Sequence, residues 1–128
     1  MSSAVLDASA LLALLNQEEG GDKVAELVAA GATISAVNLS EVAAKLSLAG
    51  MPEAQIREAL DPLGLDIVPF DLEQAYRAAL LVGPTRAAGL SFGDRTCLAL
   101  ASQVGLPAVT ADRAWRHLEL DIQLQVIR

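Results

Sequence analysis

The sequence is poor in cysteine and in aromatic residues, and it contains no long apolar run. A single cysteine among 128 residues cannot form an intramolecular disulfide, so we expect the chain to fold in a reducing compartment. Aromatic residues make up only 3% of the chain, so alanine, leucine and valine must fill the core. No stretch approaches the roughly 20 apolar residues that span a bilayer, which argues against a membrane protein.

Basic residues are also scarce, since nine Lys and Arg stand against sixteen Asp and Glu and give a formal net charge of −7. This balance argues against a broad basic surface for nucleic acid, and such a function would have to rest on local basic residues or on a metal ion. No basic region precedes the first apolar run, so we expect no signal peptide and a cytoplasmic location. The hydrophobic content of 53% is ample for one domain over residues 1–128.

Short apolar runs alternate with helical patterns along the whole chain. Strands are predicted near residues 4–6, 33–36, 65–69, 106–110 and 122–127, the last as a half-buried edge strand. Helices are predicted near residues 9–15, 22–30, 38–49, 53–60, 71–82, 93–104 and 112–117, and segment 83–89 has the composition of a loop. This alternation predicts a single α/β domain whose parallel sheet is covered by helices on both faces.

Four carboxylates stand where the chain passes from a strand or loop into a helix: Asp7, Glu41, Asp94 and Asp112. The carboxyl ends of parallel strands border the ligand crevice of such sheets, so these side chains can meet there. Helix capping is the competing explanation, because acids stabilise a first turn by about 0.3–1 kcal/mol and Ser91 with Asp94 matches a capping box. Asp7 fits capping less well, since an unpaired charge near the sheet centre is costly.

Four segments that contain these acids resemble the four motifs of PIN-domain ribonucleases, and most closely those of VapC toxins of toxin–antitoxin pairs. They are residues 5–9 (VLDAS), 38–42 (NLSEV), 90–101 (LSFGDRTCLALA) and 109–115 (VTADRAW). The third motif is the most specific of the four. Because length and motif order agree as well, the resemblance covers essentially the whole chain.

The resemblance implies a single PIN-like domain with strand order 3-2-1-4-5 and a Mg²⁺- or Mn²⁺-dependent endoribonuclease that hydrolyses RNA. It further implies a homodimer and a cognate antitoxin protein that blocks the site. By motif position, Asp7, Glu41, Asp94 and Asp112 become the catalytic, metal-binding quartet. An all-oxygen cluster favours Mg²⁺ or Mn²⁺ over zinc. We expect the first three acids to bind one ion, directly or through water, and Asp112 to complete the site or hold a second ion.

The remaining polar candidates have weaker support. Ser9 and Thr110 match the family as supporting hydroxyls that orient carboxylates. Arg95 and Arg113 each follow an acid of the quartet and Arg86 lies in the loop, so they either contact RNA phosphates or balance charge on a solvated rim. Cys97 is expected in the core, and Trp115 is expected to close the edge of the sheet, with stacking on a base as the alternative. The single histidine, His117, is expected at the surface or at a helix end, so a histidine-dependent ribonuclease is not expected.

Other α/β classes explain the acids less well. A response-regulator receiver needs an acid pair after the first strand and a lysine after the last, but the chain has Leu6-Asp7 and no lysine after Lys45. An aspartate phosphatase needs a second acid where Ser9 stands. The remaining alternative is a non-catalytic acidic α/β module that acts by binding a protein partner. Aliphatic residues between 22 and 60 are expected to leave a groove for an antitoxin helix.

Overall fold

A five-stranded, all-parallel sheet in the order β3-β2-β1-β4-β5 forms the centre of the computed structural model, which describes residues 2–128. The strands are β1 (Val5–Leu6), β2 (Thr33–Ser35), β3 (Asp66–Val68), β4 (Ala108–Thr110) and β5 (Leu124–Val126). In the centre, Val5 of β1 is in register with Thr33 on one side and with Ala108 on the other. The predicted strand order is confirmed, and β5 is an edge strand of half-buried residues as expected.

Within residues 2–128, seven α-helices connect and cover the strands. They are α1 (Ala8–Leu15), α2 (Gly21–Ala30), α3 (Ala36–Leu48), α4 (Glu53–Leu60), α5 (Leu72–Leu80), α6 (Val82–Thr85) and α7 (Phe92–Val104). Short 3₁₀ helices occupy Asp61–Leu63, Arg86–Ala88 and Arg113–His117. Among residues 2–128, no helix combines the length and the hydrophobicity that a membrane crossing requires.

Successive residues of β1 face opposite sides of the sheet, as the pleat requires. Val5 packs with Leu98 of α7 and with Trp115, whereas Leu6 packs with Val24 of α2 and other small apolar residues. A third cluster lies beneath α3 and α4, where Leu11, Ile34 and Val42 meet. Cys97 is fully buried, which confirms its predicted place in the core. Trp115 is fully buried as well, in a cluster against which Leu124 and Val126 of the edge strand β5 pack, so its ring is not exposed for stacking on a base.

The loop prediction for residues 83–89 is wrong. Residues 82–85 form α6, and residues 86–88 form a 3₁₀ turn that ends at Gly89 in a left-handed conformation. Pro84 is compatible with α6 because it lies in the first turn, where a backbone N–H is not needed for the helix. The glycines and the proline of segment 83–89 therefore lie within and at the end of short helices rather than in a loop.

Several element boundaries also differ from the prediction; β5, for example, begins at Leu124 rather than at Ile122. α3 begins at Ala36 rather than near Asn38, because the Ser35 hydroxyl accepts a hydrogen bond from the Val37 N–H and caps the helix directly after β2. β4 begins at Ala108 rather than at Leu106. The chain thus turns from strand to helix without an intervening loop at β2, which places the start of α3 at the carboxyl edge of the sheet.

Candidate active site at the carboxyl edge of the sheet

Asp7 is buried at the carboxyl end of the central strand, with 3% of its surface exposed. It is the N-cap of α1, and its Oδ1 accepts hydrogen bonds from the Ala10 N–H at 2.8 Å and from the Ser9 hydroxyl at 2.7 Å. Its Oδ2 accepts a hydrogen bond from the Thr110 hydroxyl at 2.5 Å. Burial raises the pKa of Asp7 from 3.8 to about 6, and the charge of Asp94 acts in the same direction against these hydrogen bonds.

The hydroxyls of Ser9 and Thr110 both donate hydrogen bonds to Asp7, and they also join the ends of β1 and β4. The Ser9 hydroxyl accepts the Ala111 N–H at 2.9 Å, and the Thr110 hydroxyl accepts the Asp112 N–H at 3.0 Å. The two hydroxyl oxygens lie 3.2 Å apart. Because backbone N–H groups can only donate, these bonds leave each hydroxyl proton available to Asp7. Ser9 and Thr110 therefore orient the Asp7 carboxylate, and they also hold the backbone at Asp112.

Glu41 extends from the first half of α3 and is positioned by two residues that the sequence reasoning did not single out. The Asn38 side chain, only 1% exposed, donates from Nδ2 to Glu41 Oε1 at 2.8 Å and to the Gly93 carbonyl at 2.9 Å. A Cβ on Gly93 would lie 2.7 Å from Cδ of Glu41, so only glycine leaves room for this carboxylate. The spacing of Asn38 and Glu41 on one helix face was the available signal, but their contact with Gly93 depends on the packing of α3 against α7.

Asp94 and Asp112 each commit one oxygen to a helix start. Asp94 Oδ2 accepts the Ser91 N–H at 2.9 Å while the Ser91 hydroxyl accepts the Asp94 N–H, which completes the capping box that begins α7. Asp112 Oδ1 accepts the Ala114 N–H at 2.9 Å as the N-cap of the last 3₁₀ helix. Within residues 2–128, no donor bonds the second oxygen of either side chain. Capping and an active-site role are therefore compatible in the same residue.

All four acids line one open cavity of about 390 Å³ at the carboxyl edge of the sheet. Ser9 and the additional acid Glu18 also line it, together with Asn16. Burial raises the pKa of the Cys97 thiol well above its usual value, and the nearby charges of Asp7, Asp94 and Glu41 act in the same direction. Because Cys97 is buried and lies near negatively charged side chains, its thiol packs in the core and does not act as a nucleophile.

The donor set of this cavity fits a hydrated Mg²⁺ or Mn²⁺ better than a fully caged ion. Among residues 2–128, no three acidic, histidine or cysteine side chains stand close enough together to enclose a metal by themselves. Mg²⁺ usually keeps several waters and takes only one or two carboxylates directly, which a cavity of this size accommodates. A carboxylate has about four lone-pair sites, and Asp7 uses three of them for hydrogen bonds.

The three predicted arginines do not line the cavity. Arg95 donates from Nη1 to the Leu90 carbonyl at 3.0 Å, and Arg113 donates from Nε to the main-chain oxygen of Arg128 at 3.2 Å. Arg86 is exposed on the 3₁₀ turn after α6. The cations that do line the cavity are Lys45 and Arg128, which the sequence analysis did not select. His117 is exposed and does not line it either.

The family model of the PIN domain matches residues 4–120 of the chain. This range includes every acid that lines the cavity. No curated protein sequence is significantly similar to the chain.

Several solved structures have the same fold. DNA-bound VapBC from Salmonella typhimurium superposes with a TM-score of 0.76 at 18% identity, over 100% of both chains. VapBC2 from Rickettsia felis, bound to a promoter DNA fragment, has a TM-score of 0.73 at 18% identity over 95% of this chain and 96% of that one. VapC20 from Mycobacterium tuberculosis, a toxin that cleaves the sarcin–ricin loop, has a TM-score of 0.72 at 19% identity over 91% and 97%. At such identities the likeness is one of fold.

Proposed function

The chain belongs to the PIN-domain family, and on that basis we propose that it is the toxin of a toxin–antitoxin pair, a metal-dependent endoribonuclease that hydrolyses RNA in the cytoplasm. One observation carries this proposal. Four carboxylates from four separate parts of the chain line a single cavity, although the helix caps made by Asp7, Asp94 and Asp112 do not require these side chains to meet and Glu41 caps no helix. Such a concentration of negative charge is unfavourable unless a cation is bound among them.

Asp7, Asp94 and Glu41 would hold a Mg²⁺ or Mn²⁺ ion, directly or through water, and Asp112 would complete the site. A divalent ion there supplies Lewis acidity and lowers the pKa of water. The protein's own part is orientation: Ser9 and Thr110 hold both oxygens of Asp7, and Asn38 holds Glu41. Because Asp7 has a pKa of about 6, it is mostly ionised at neutral pH and available to a cation.

The cognate antitoxin would dock in the apolar groove between α3 and α4. This groove has a volume of about 580 Å³, and its floor is made of aliphatic residues while charged residues stand at its rim. The aliphatic residues include Leu39, Ala43, Ile56, Leu60 and Leu65. An amphipathic helix is the partner that such a groove fits. The similar solved structures include VapBC structures, and VapBC is a family of toxin–antitoxin systems, which supports an antitoxin as the partner.

A second copy of the chain would cover the outer face of α5. Leu72, Tyr76 and Leu80 follow one another at four-residue intervals along this helix, and 73%, 65% and 79% of their surfaces are exposed. An unpaired apolar stripe of this kind marks an interaction surface. We expect Tyr76→Glu to convert a dimer into a monomer in analytical ultracentrifugation, while Leu48→Glu, which is remote from the stripe, leaves the dimer intact. A wild-type monomer at all concentrations would contradict the assignment.

The decisive experiment is RNA cleavage by purified, partner-free protein in Mg²⁺, in Mn²⁺ and in EDTA. The matched pair of variants is Asp94→Asn and Asp71→Asn, since both side chains cap a helix but only Asp94 lines the cavity. We expect cleavage to require the metal ion, to fall by about 100-fold or more in Asp94→Asn, and to be unchanged in Asp71→Asn. Folded wild-type protein that binds no Mn²⁺ and cuts no RNA would favour the non-catalytic binding module.

A further inference from the structure

Two basic side chains, Lys45 and Arg128, line the acidic cavity together with its five carboxylates. Lys45 stands in the last turn of α3, four residues after Glu41 and on the same helix face. Arg128 follows β5. In the strand order, β2 and α3 lie on one side of β1 while β4 and β5 lie on the other. The two cations therefore approach the cavity from opposite flanks of the central strand.

Lys45 is not committed to a partner in the protein. Its side chain is exposed, and within residues 2–128 it makes neither an ion pair nor a side-chain hydrogen bond. Arg57 and Arg77 differ in this respect, since each is paired with a glutamate one turn away on its own helix. Lys45 has Glu41 one turn away and is not in contact with it. Its three ammonium donors remain available at the rim of the cavity.

Arg128 is held in place by its backbone and by one of its nitrogens. Its main-chain oxygen accepts hydrogen bonds from Arg113 Nε at 3.2 Å and from Arg116 Nη2 at 2.9 Å. Its Nη1 donates to Glu18 Oε1 at 3.1 Å. The guanidinium has five donors in a planar fork, so this contact leaves Nε and Nη2 free for a second oxyanion. Arg113 and Arg116 thus act here as a clamp on Arg128.

We propose that Lys45 and Arg128 bind the phosphates of the RNA strand that enters the acidic cavity. This assignment rests on the proposed nuclease function and supplies what an acidic cavity lacks, which is attraction for a polyanion. Carboxylates alone repel RNA, and the net charge of the chain adds to that repulsion. A cation on each flank of β1 holds the backbone on both sides of the acids and leaves the phosphate between them exposed to the carboxylate cluster. Contacts of this kind fix the register of the strand rather than its sequence.

The test measures binding of a single-stranded RNA oligonucleotide to the Asp94→Asn protein in Mg²⁺, by fluorescence anisotropy across a range of salt concentrations. Adding Lys45→Gln or Arg128→Gln is expected to weaken binding by about 10-fold and to reduce the slope of log K against log salt by about 0.7 for each charge removed. Lys45→Arg and Arg128→Lys keep the charge and are expected to retain most of the affinity. Lys23→Gln removes the same charge from α2, outside the cavity, and is expected to change neither quantity.

A structural role for Arg128 is separated by Glu18→Gln, which breaks the same ion pair but leaves the guanidinium in place. If Arg128 binds phosphate, Glu18→Gln binds RNA at least as tightly as its parent. If the only role of Arg128 is its ion pair with Glu18, Glu18→Gln and Arg128→Gln weaken RNA binding equally. Cleavage by wild type with unchanged RNA binding and salt slope in Lys45→Gln and Arg128→Gln would overturn this proposal and leave the nuclease intact. A wild-type protein that neither cuts nor binds RNA would overturn both.

Discussion

Helix α3 borders two cavities of opposite character. Glu41 and Lys45 line the acidic cavity of about 390 Å³, whereas Leu39 and Ala43 line the apolar groove of about 580 Å³. Both pairs are four residues apart, so each forms a row along one side of the same helix. The buried face between them, with Asn38, Val42 and Leu46, attaches α3 to the rest of the domain.

The difference between the two cavities lies in how each is built. The groove is made by neighbouring elements, α3, α4 and β3, and needs only apolar side chains of suitable size. The acidic cavity is made by residues from distant parts of the chain, and it depends on individual hydrogen bonds such as that between Asn38 and Gly93. We therefore expect the cavity to be sensitive to small displacements and the groove to tolerate them, and we expect the two to be separable by mutation.

The largest effect is expected for Gly93→Ala, which attacks the acidic side of α3 alone. The added Cβ would overlap the Glu41 carboxylate, 2.5 Å from Oε2, and displace it. Misplacement by about 1 Å can lower a rate by about 100-fold, so we expect a loss of RNA cleavage of this order. Gly83→Ala is the control, since no atom lies within 4 Å of its added Cβ. Antitoxin binding should be retained in both variants, and wild-type cleavage by Gly93→Ala would show that the position of Glu41 is unimportant.

Asp7→Asn tests whether the buried charge of Asp7 in the acidic cavity lowers the free energy of unfolding. Burial raises the pKa of Asp7 above its unfolded value of 3.8 to about 6. The folded state therefore holds the proton more tightly, and this contribution to stability is present below pH 3.8 and lost as the pH rises through about 6. At pH 7 and without metal, we expect Asp7→Asn to raise the free energy of unfolding by about 2 to 3 kcal/mol.

Urea denaturation of the metal-free protein at pH 4 and at pH 7 measures this effect. The gain in free energy of unfolding from Asp7→Asn should be small at pH 4, where Asp7 of the folded wild-type protein is protonated. It should be complete at pH 7, where Asp7 carries a buried charge that the asparagine lacks. The asparagine amide can donate to Thr110, whose own proton then turns toward Ser9 at 3.2 Å. An equal stability change at both pH values would show that the charge of Asp7 is not the cause.

The smallest effect is expected on the groove side, for Ile67→Arg. Ile67 lies on edge strand β3, lines the groove and is 48% exposed, so a charged side chain there does not disturb the core. We expect binding of the coexpressed antitoxin to weaken by about 10-fold while RNA cleavage by the free protein stays unchanged. Leu48→Arg is the matched control, since Leu48 is 89% exposed and lies outside the groove. Equal loss in both variants would place the antitoxin elsewhere.

A local rule selects three of the four candidate acids, whereas Glu41 was expected in the first turn of its helix and lies in the second turn, because α3 begins at Ala36. Acids at strand ends and helix starts are visible in any α/β sequence, and the structure places Asp7, Glu41, Asp94 and Asp112 around one cavity. The capping box of Asp94 was treated as a competing explanation, yet one carboxylate oxygen suffices for the cap and the other remains free. The strand order rested on the family resemblance, since the apolar pattern alone does not order strands.

The residues that sequence reasoning missed depend on contacts between distant segments. Nothing in the sequence distinguishes Lys45 from other helical lysines, and only the folded position of α3 places it at the acidic cavity. Arg128 lines that cavity because β5 pairs with β4. Arg95 and Arg113 stand next to the acids in sequence, but successive residues of a helix point in different directions. Adjacency along the chain was therefore a poor guide to which cations lie near the site.

The network that joins Ser9 to Thr110 has a consequence for the timing of synthesis. These two residues are 101 positions apart, and Asn38 is 55 positions from the carbonyl of Gly93 that it holds. The segments that line the apolar groove, α3, α4 and β3, all precede α7 and the end of β4, which supply Asp94 and Asp112 to the acidic cavity. The proposed partner site is therefore synthesised in full before the last acids of the proposed catalytic site.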